Sequence, residues 1–518
     1  MSEPLIAVRG LQVTAGHTVL VAEVNLDVHA GEIVTLFGPS GAGKTTIATA
    51  IAGVAVAGNV VAGSIRYRGP RDSVRIGYLP QHAASTLNPA RRIGTALAEL
   101  ARLRRRQLGL PRTDRVTLRR HIADILAAAA FEVSDDALGP LLGKYPFQFS
   151  GGERARLALA QVLMSDPDVL VVDEPTVGLD PLGRAALLTG LERLRSTNKA
   201  VVLVTHDTVA VDRVSDRTLF VRAGRLHGSG QLVPSAAPPE RGASPDSPPI
   251  LRLRDITVSQ RRSRVLQNVD LDLHRGEMVA MIGVSGAGKS TIGRTIAGLV
   301  TPDSGRVVLD GVPLGPLRRR SRAHIAAVQY VWQESAPSFD PRRTVLDQVA
   351  ATAVRLRGVD RAAARERARI LLRDLGIDAQ QALRYPAGLS GGQLQRAALA
   401  RALGAEPEVL VCDEITTALD APLARRILEH LDRYRHRTGA AVLVISHDLR
   451  SHLDRADRIV MVDGGQVIET GTPSDTHRPD VHPILSEFLA ADDPNHSAAV
   501  RIPNYQSTRE ETVKAQPT

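Results

Sequence analysis

The chain has 518 residues, 43% of them hydrophobic and 23% charged, and a formal charge of +10. This excludes a chain that stays unfolded and leaves room for one large core or two moderate ones. The single cysteine, Cys412, excludes an internal disulfide or a multi-cysteine metal or iron–sulfur site, and the longest apolar run, Ile125 to Phe131, falls far short of the roughly 20 residues of a membrane span. The N-terminal MSEPLIAVRG has no basic leader ahead of an apolar stretch, so no secretion signal is expected. The positive balance permits a nucleic-acid partner or an anionic membrane surface. Only five of the 65 basic residues are lysine, however, and the arginine excess is better read as the codon bias of a GC-rich bacterial genome.

In chain order, Ile6-Ala7-Val8 opens a β-like run. IVTLFG (33–38) reads as a short buried strand that enters the glycine-rich GPSGAGKTT (38–46) and then a helix. FSGGE (149–153) precedes a helical stretch from Gly152 to Met164; LVVDEP (170–175) and AVVLVTHD (200–207) are strand-like. Residues 235–249 hold five prolines and no large apolar residue, which predicts a linker. Fully extended, that stretch spans about 50 Å. The series then begins again: Leu251 to Arg254, MVAMIG (278–283), GVSGAGKST (283–291), LSGGQ (389–393) before a helix from Gly392 to Leu403, LVCDEI (410–415) and AAVLVISHD (440–448). The four matched blocks recur in the same order at offsets of 245, 240, 240 and 241 residues. A period this long means two copies of one globular domain, not a solenoid. The expected layout is a first domain over 1–230, a linker over 231–249, a second domain over 250–490, and a disordered tail over 491–518. Strands alternating with helices predict an α/β fold with a largely parallel sheet, the early strands forming an antiparallel part.

Each glycine-rich loop reads G-x-x-x-x-G-K-S/T, framed by Gly38, Gly41 and Gly43 in the first copy and by Gly283, Gly286 and Gly288 in the second. Such a loop wraps phosphate oxygens with backbone N–H groups, which requires tight turns and no intruding side chain, and the helix that follows adds a favourable dipole. Lys44 and Lys289 are expected to reach the β- and γ-phosphates, and Thr45 and Ser290 to offer a hydroxyl to Mg2+, with Thr46 and Thr291 beside them in the nucleotide site. Asp173 and Asp413 end apolar strands, where a carboxylate faces magnesium in phosphate-loop enzymes. Glu174 and Glu414 follow directly and can orient or activate an attacking water.

Together, the loop, the SGG turn, the Asp-Glu pair and a histidine about 32 residues later resemble the ATP-binding cassette (ABC) family over roughly residues 5–230 and 250–490. The resemblance implies tandem P-loop NTPase domains, each with a mostly parallel core sheet, an antiparallel β subdomain and a helical signature subdomain, with ATP and Mg2+ as ligands. It implies head-to-tail cassettes in which Ser150, Gly151 and Gly152 press on the nucleotide held by Lys289, and Ser390, Gly391 and Gly392 on the one held by Lys44. Asp180 and Asp420 match the family's D-loop aspartate. His206 and His447 match its switch histidine at the γ-phosphate, and Gln81 and Gln333 its magnesium-sensing glutamine. This chain departs from the pattern at Ile415, where the family and Pro175 have proline, at Gly178, usually alanine, and at Glu153, against Gln393. Where the family stacks adenine on an aromatic residue, the chain has His17 in one copy and Gln260 to Arg264 in the other.

The segments after Gln81 and Gln333 resemble those of importer ATPases for peptides, nickel and related solutes. Thr86, Leu87, Asn88 and Pro89 match in one copy, and Ser338, Phe339, Asp340, Pro341, Thr344 and Val345 in the other; HRPDVHPILSEFL (477–489) resembles a late segment of the same subfamily. The resemblance implies an ATPase at the cytoplasmic face of a bacterial membrane, working with two permease subunits and a solute-binding protein, and with no direct nucleic-acid partner. An exporter ATPase and a soluble tandem-cassette translation factor are the alternatives; the second usually has a long, charged helical linker. The first copy is 12 residues longer between glutamine and signature, near residues 101–120, which hold eight arginines. A solvated helical face is the plainer reading of that stretch, and anionic lipid headgroups or a permease loop are the functional ones.

Overall fold

The computed structural model of the chain describes residues 3–228 and 248–492, apart from positions 40, 55, 70–73, 132, 261–262, 417–418, 420, 447–451, 453–454 and 478–480. The chain divides into two compact units, the first of Met1–Pro234 with Ala490–Thr518 and the second of Ser235–Leu489. The expected linker and tail lie almost wholly outside the described residues, and the helix Pro483–Asp492 runs over the point where the tail was expected to begin.

In the first unit, β1 (Ile6–Ala15), β2 (Thr18–Val28) and β4 (Asn59–Tyr67) make a three-stranded antiparallel sheet in the order β2-β1-β4. A six-stranded sheet follows the order β5-β6-β7-β3-β8-β9, from β3 (Ile33–Phe37), β5 (Ile76–Leu79), β6 (Val169–Asp173), β7 (Ala200–Thr205), β8 (Arg217–Arg222) and β9 (Arg225–His227). Its pairs are parallel except β8 with β9. Strands buried on both faces read as continuous apolar runs because each face needs its own core. In β6, Val169 and Val171 pack with Val8, Leu36 and Ile47 on one side, while Leu170 and Val172 pack with Leu126, Leu159 and Leu191 on the other. The helices are α1 (Lys44–Ile51), α2 (Ile93–Gln107), α3 (Arg115–Ala128), α4 (Asp135–Gly143), α5 (Gly151–Leu163), α6 (Pro181–Ser196) and α7 (Thr208–Val214). Helices α2 to α5 form the helical part, held by Leu97, Leu118, Ile122 and Leu138. Burying such a leucine stabilises by about 1.5–3 kcal/mol.

The second unit repeats this plan. Strands β10 (Pro249–Gln260), β11 (Ser263–His274), β13 (Ser304–Leu309) and β14 (Val312–Leu314) form an antiparallel sheet in the order β11-β10-β13-β14. The core sheet runs β15-β16-β17-β12-β18-β19, from β12 (Met278–Ile282), β15 (Val328–Val331), β16 (Val409–Asp413), β17 (Ala441–Ile445), β18 (Arg458–Asp463) and β19 (Gln466–Gly471). Helices include α8 (Lys289–Ile296), α9 (Arg322–Ala327), α10 (Val345–Arg357), α11 (Arg361–Asp374), α12 (Ala379–Ala382), α13 (Gly391–Leu403) and α14 (Ala421–Thr438). Cys412 is fully buried in β16, where burial and then the neighbouring Asp413 push its thiol well above the usual range. It is a core residue, in agreement with its place in an apolar run.

The two antiparallel sheets differ at one edge. In the second unit β14 adds a fourth strand, and Arg320 behind it donates to Ile296 O and Gly315 O, each at 2.9 Å. The first unit has no counterpart to β14 among the described residues. There a groove of about 640 Å3 opens between α1 and β4, lined by Leu11, Val54, Val61, Ile65 and Tyr67.

Candidate functional site

Both glycine-rich loops leave the carboxyl end of a central parallel strand, β3 or β12, the edge at which open α/β sheets present ligand sites. A Cβ at Gly38 would lie 2.3 Å from Val221 O, and one at Gly283 would lie 2.0 Å from Val462 O, so only glycine lets the loop pass so close to the next strand. Gly43 and Gly288 cap α1 and α8 with φ of 100° and 105°, and Gly41 and Gly286 also have positive φ with open space around them. The loop therefore has room at its lip and free N–H groups at a helix start, which suits phosphate.

The lysines turn into this loop. Lys44 Nζ donates to Gly38 O at 2.8 Å and Pro39 O at 3.1 Å; Lys289 Nζ donates to Gly283 O at 2.7 Å and Val284 O at 2.9 Å. Both ammonium groups are buried. Thr45 Oγ1 donates to Asp173 Oδ1 at 3.2 Å, and Ser290 Oγ to Asp413 Oδ1 at 3.0 Å. Thr46 and Thr291 follow on the same helices, half-buried. The hydroxyl–carboxylate pair offers hard oxygens to a divalent cation. No cluster of three acidic, histidine or cysteine ligands exists among the described residues. A magnesium ion here would draw its other ligands from phosphate and water, as that ion prefers. Burial pushes the Asp173 and Asp413 carboxyls above the usual range, against the hydrogen bonds each accepts.

Glu174 and Glu414 have φ of 45° and 50°, a left-handed conformation that is uncommon for a side chain of this size. The next strand holds them there: Glu174 N–H donates to Val204 O at 2.8 Å, and Glu414 N–H to Ile445 O at 2.9 Å. Such strain costs about 1–3 kcal/mol and persists where it aims a functional group. Glu174 lies 3.3 Å from Lys44 Nζ, accepts from His206 N–H, and sits 2.8 Å from His206 Nδ1. Burial raises both the Glu174 carboxyl pKa and the cost of a charged His206, but their mutual attraction outweighs it. Glu174 is held below its usual value and His206 above. In the second unit Gln333 Nε2 donates to Glu414 Oε2. Gln81 is exposed and makes no such contact.

Ser150 and Ser390 are the N-caps of α5 and α13, with Gly151, Gly152, Gly391 and Gly392 in their first turns. Ser150 Oγ accepts from Glu153 N–H while Glu153 accepts from Ser150 N–H at 2.7 Å; Ser390 and Gln393 do the same. The glutamate for glutamine departure therefore preserves one capping box. This turn lies against α6: a Cβ on Gly152 would come within 3.1 Å of Gly183 Cα. Asp180 caps α6 through Gly183 N–H at 2.7 Å. Asp420 and His447 lie outside the described residues. Gly178 has φ of 74°, which explains glycine there, and Ile415 is packed in the core. His17 is exposed in the turn between β1 and β2, and Arg261 and Arg262 are not among the described residues.

Two tyrosines join the site that the motifs did not single out. Tyr78 O–H donates to Asp173 Oδ2 at 3.5 Å and Tyr330 O–H to Asp413 Oδ2. Burial, then the adjacent carboxylate, pushes Tyr78 up to about 12 and raises Tyr330 as well. Each tyrosine stands three residues before the matched glutamine in its copy, a repeat visible in YLPQ and YVWQ.

The profile of the ABC transporter family matches residues 21–177 and 266–417, both glycine-rich loops included. The chain belongs to the ABC transporter family. The uncharacterized ABC transporter ATP-binding protein YejF of Escherichia coli K12 is 30% identical, over 91% of this chain and 96% of its own length. The glutathione import ATP-binding protein GsiA of Pectobacterium atrosepticum is 28% identical, over 91% of this chain and 86% of its own. Among solved structures, a dimeric post-hydrolysis ATP-binding cassette with ADP and Pi is 28% identical over 43% of this chain and 98% of its own, with a TM-score of 0.40. As a tandem member of the ABC transporter family, the chain is an ATP-hydrolysing enzyme with two nucleotide-binding cassettes.

Proposed function

We propose that the chain is the ATPase subunit of an importer for peptides, nickel or related small solutes, working with two membrane permeases and a solute-binding protein at the cytoplasmic face of a bacterial membrane. The observation that carries this reading is the retention of a complete lysine, hydroxyl, aspartate and glutamate set in both copies. The similarity to GsiA, a glutathione import protein, supports import. No helix among the described residues is long and apolar enough to cross a membrane, so a pathway for solute would have to come from other chains.

In this reading ATP is the substrate of both sites. The loop amides of Gly38 to Gly43 and Gly283 to Gly288 cradle its phosphates, and Lys44 and Lys289 neutralise them. Thr45 with Asp173, and Ser290 with Asp413, would hold a magnesium ion, with Gln81 and Gln333 beside it, and that ion would supply positive charge against the phosphates. Glu174 and Glu414 orient a water toward the γ-phosphorus. The new bond forms from that water to the γ-phosphorus, the bond to the β–γ bridging oxygen breaks, and ADP, inorganic phosphate and the proton of the water leave. His206 and His447 stand at the γ-phosphate, and the Ser150–Gly152 and Ser390–Gly392 turns, with Asp180 and Asp420, complete the nucleotide contacts.

Mass spectrometry of what co-purifies with the tagged chain from gently solubilised native membranes tests this proposal. Two polytopic permeases with a solute-binding protein are expected. Permeases alone would move the reading to export, and ribosomal proteins without permeases would overturn transport.

A further inference from the structure

We propose that the corner between α2 and α3 docks on an anionic lipid surface. Helix α2 buries Ile93, Leu97 and Ala101, spaced four residues apart, so its core-facing stripe ends about one and a half turns before the helix does. The next residue on that stripe is Arg105, whose guanidinium turns back to Pro111 O at 3.1 Å. Past Ala101 the stripe therefore carries arginine in place of an apolar residue, although Arg104 beside it still tucks its Nε and Nη2 away from solvent.

Residues 101–120 contain eight arginines and one acidic residue, Asp114. Asp114 is committed to capping α3, where it accepts from the N–H groups of Val116 and Thr117. Among the described residues none of the eight arginines has a carboxylate within 4 Å, and Arg104 alone shows a longer-range attraction, to Asp166. Among them stand Leu103, Leu108, Leu110 and Val116, exposed at 48%, 50%, 46% and 71%. Leucines set between arginines suit the boundary between lipid headgroups and acyl chains, where apolar side chains enter and guanidinium groups stay with phosphate.

Local helix stability does not account for the pattern. Arg104, Arg105 and Arg106 lie in the last turn of α2, where the helix dipole favours cations. Arg112, Arg115, Arg119 and Arg120 gather at the start of α3, where the dipole disfavours them. The second unit provides an internal control. Its α10 and α11 are joined by three residues, against seven between α2 and α3. Arginines on α11 are paired there: Arg365 with Asp347 at 2.7 Å, Arg367 with Glu406 at 3.0 Å and Arg369 with Glu366 at 3.0 Å. The unpaired charge and the exposed leucines belong to the copy with the longer connection. The absence of Phe, Tyr and Trp from 101–120 speaks against a single-stranded nucleic acid.

Flotation of the full-length chain with vesicles tests the docking. Vesicles of phosphatidylcholine with about 30% phosphatidylglycerol are expected to bind it, less as salt rises, and vesicles of phosphatidylcholine alone are not. Replacing Arg102, Arg106, Arg112, Arg115 and Arg120 together by Gln should weaken binding at least about tenfold. Leu108→Ser with Leu110→Ser should weaken it severalfold while leaving the salt dependence in place. Both variants should keep basal ATP hydrolysis in solution, which shows that the cassettes remain folded. Equal binding to uncharged vesicles, no binding, or full binding by the arginine variant would overturn the proposal. So would capture of solubilised permeases by a parent chain that ignores vesicles, since that assigns the corner to a protein. Vesicle binding is read without transport, so its failure leaves the importer reading standing.

Discussion

Glu174 and Glu414 combine a strained backbone with a buried carboxylate, a conformation no core requirement asks for. Replacing both by Gln keeps the volume and removes the charge that orients water. Steady-state ATP hydrolysis should fall by about 10²–10⁴ while nucleotide binding survives. Turnover at the parent rate would remove these residues from the water-positioning role. The Glu174–His206 pair also sets a pH dependence in the nucleotide-free protein. The depressed Glu174 contributes stability above its ordinary value of 4.5 and loses it as pH falls through its lower folded value. The raised His206 contributes below 6.5 and loses its share as pH rises through its higher folded value. Thermal melts of parent and His206→Gln should therefore differ most between 4.5 and 6.5 and converge on either side. The carboxylates, lysines and histidine were legible as motifs. Their mutual contacts were not, because side-chain geometry and left-handed φ values leave no mark on residue identity. Tyr78 and Tyr330 were legible only through the repeat, three residues before each glutamine.

At the scale of elements, the capping boxes at α5 and α13 show why a change of sequence need not change structure. Glu153 and Gln393 both return an oxygen to the N–H of the capping serine. Glu153→Gln should leave melting and hydrolysis within measurement scatter. Ser150→Ala should destabilise the first unit by about 0.5–2 kcal/mol through the lost cap, read by calorimetry. The strands were the most legible elements, since IVTLF, VLVVD and AVVLVT are apolar on both faces and the structure buries both. The alternate assignment of their side chains to two separate cores follows from the two-residue strand period. The extra edge strand was overlooked although its signal is local: β14 is three residues long, too short to show strand periodicity, and pairs with β13 across the two-residue turn Asp310-Gly311, an Asp-Gly hairpin sequence.

For the whole molecule, duplication is the governing fact, and it was readable from the four nearly constant offsets alone. It also predicts coupling. Lys289→Ala removes one ammonium from one loop, yet in a tandem ATPase whose sites act together total hydrolysis should drop well below half. A fold that melts as the parent does, with half the activity left, would mean independent sites. The twofold plan is not a copy in every part. Arg320 holds the last turn of α8 through Ile296 O, while the matching end of α1 faces an open groove. Amide hydrogens in the last turn of α1 and along β4 should then exchange with deuterated solvent sooner than those of α8 and β13, because opening there breaks fewer contacts. The two nucleotide loops, alike in their chemistry, would stand on supports of unequal stiffness.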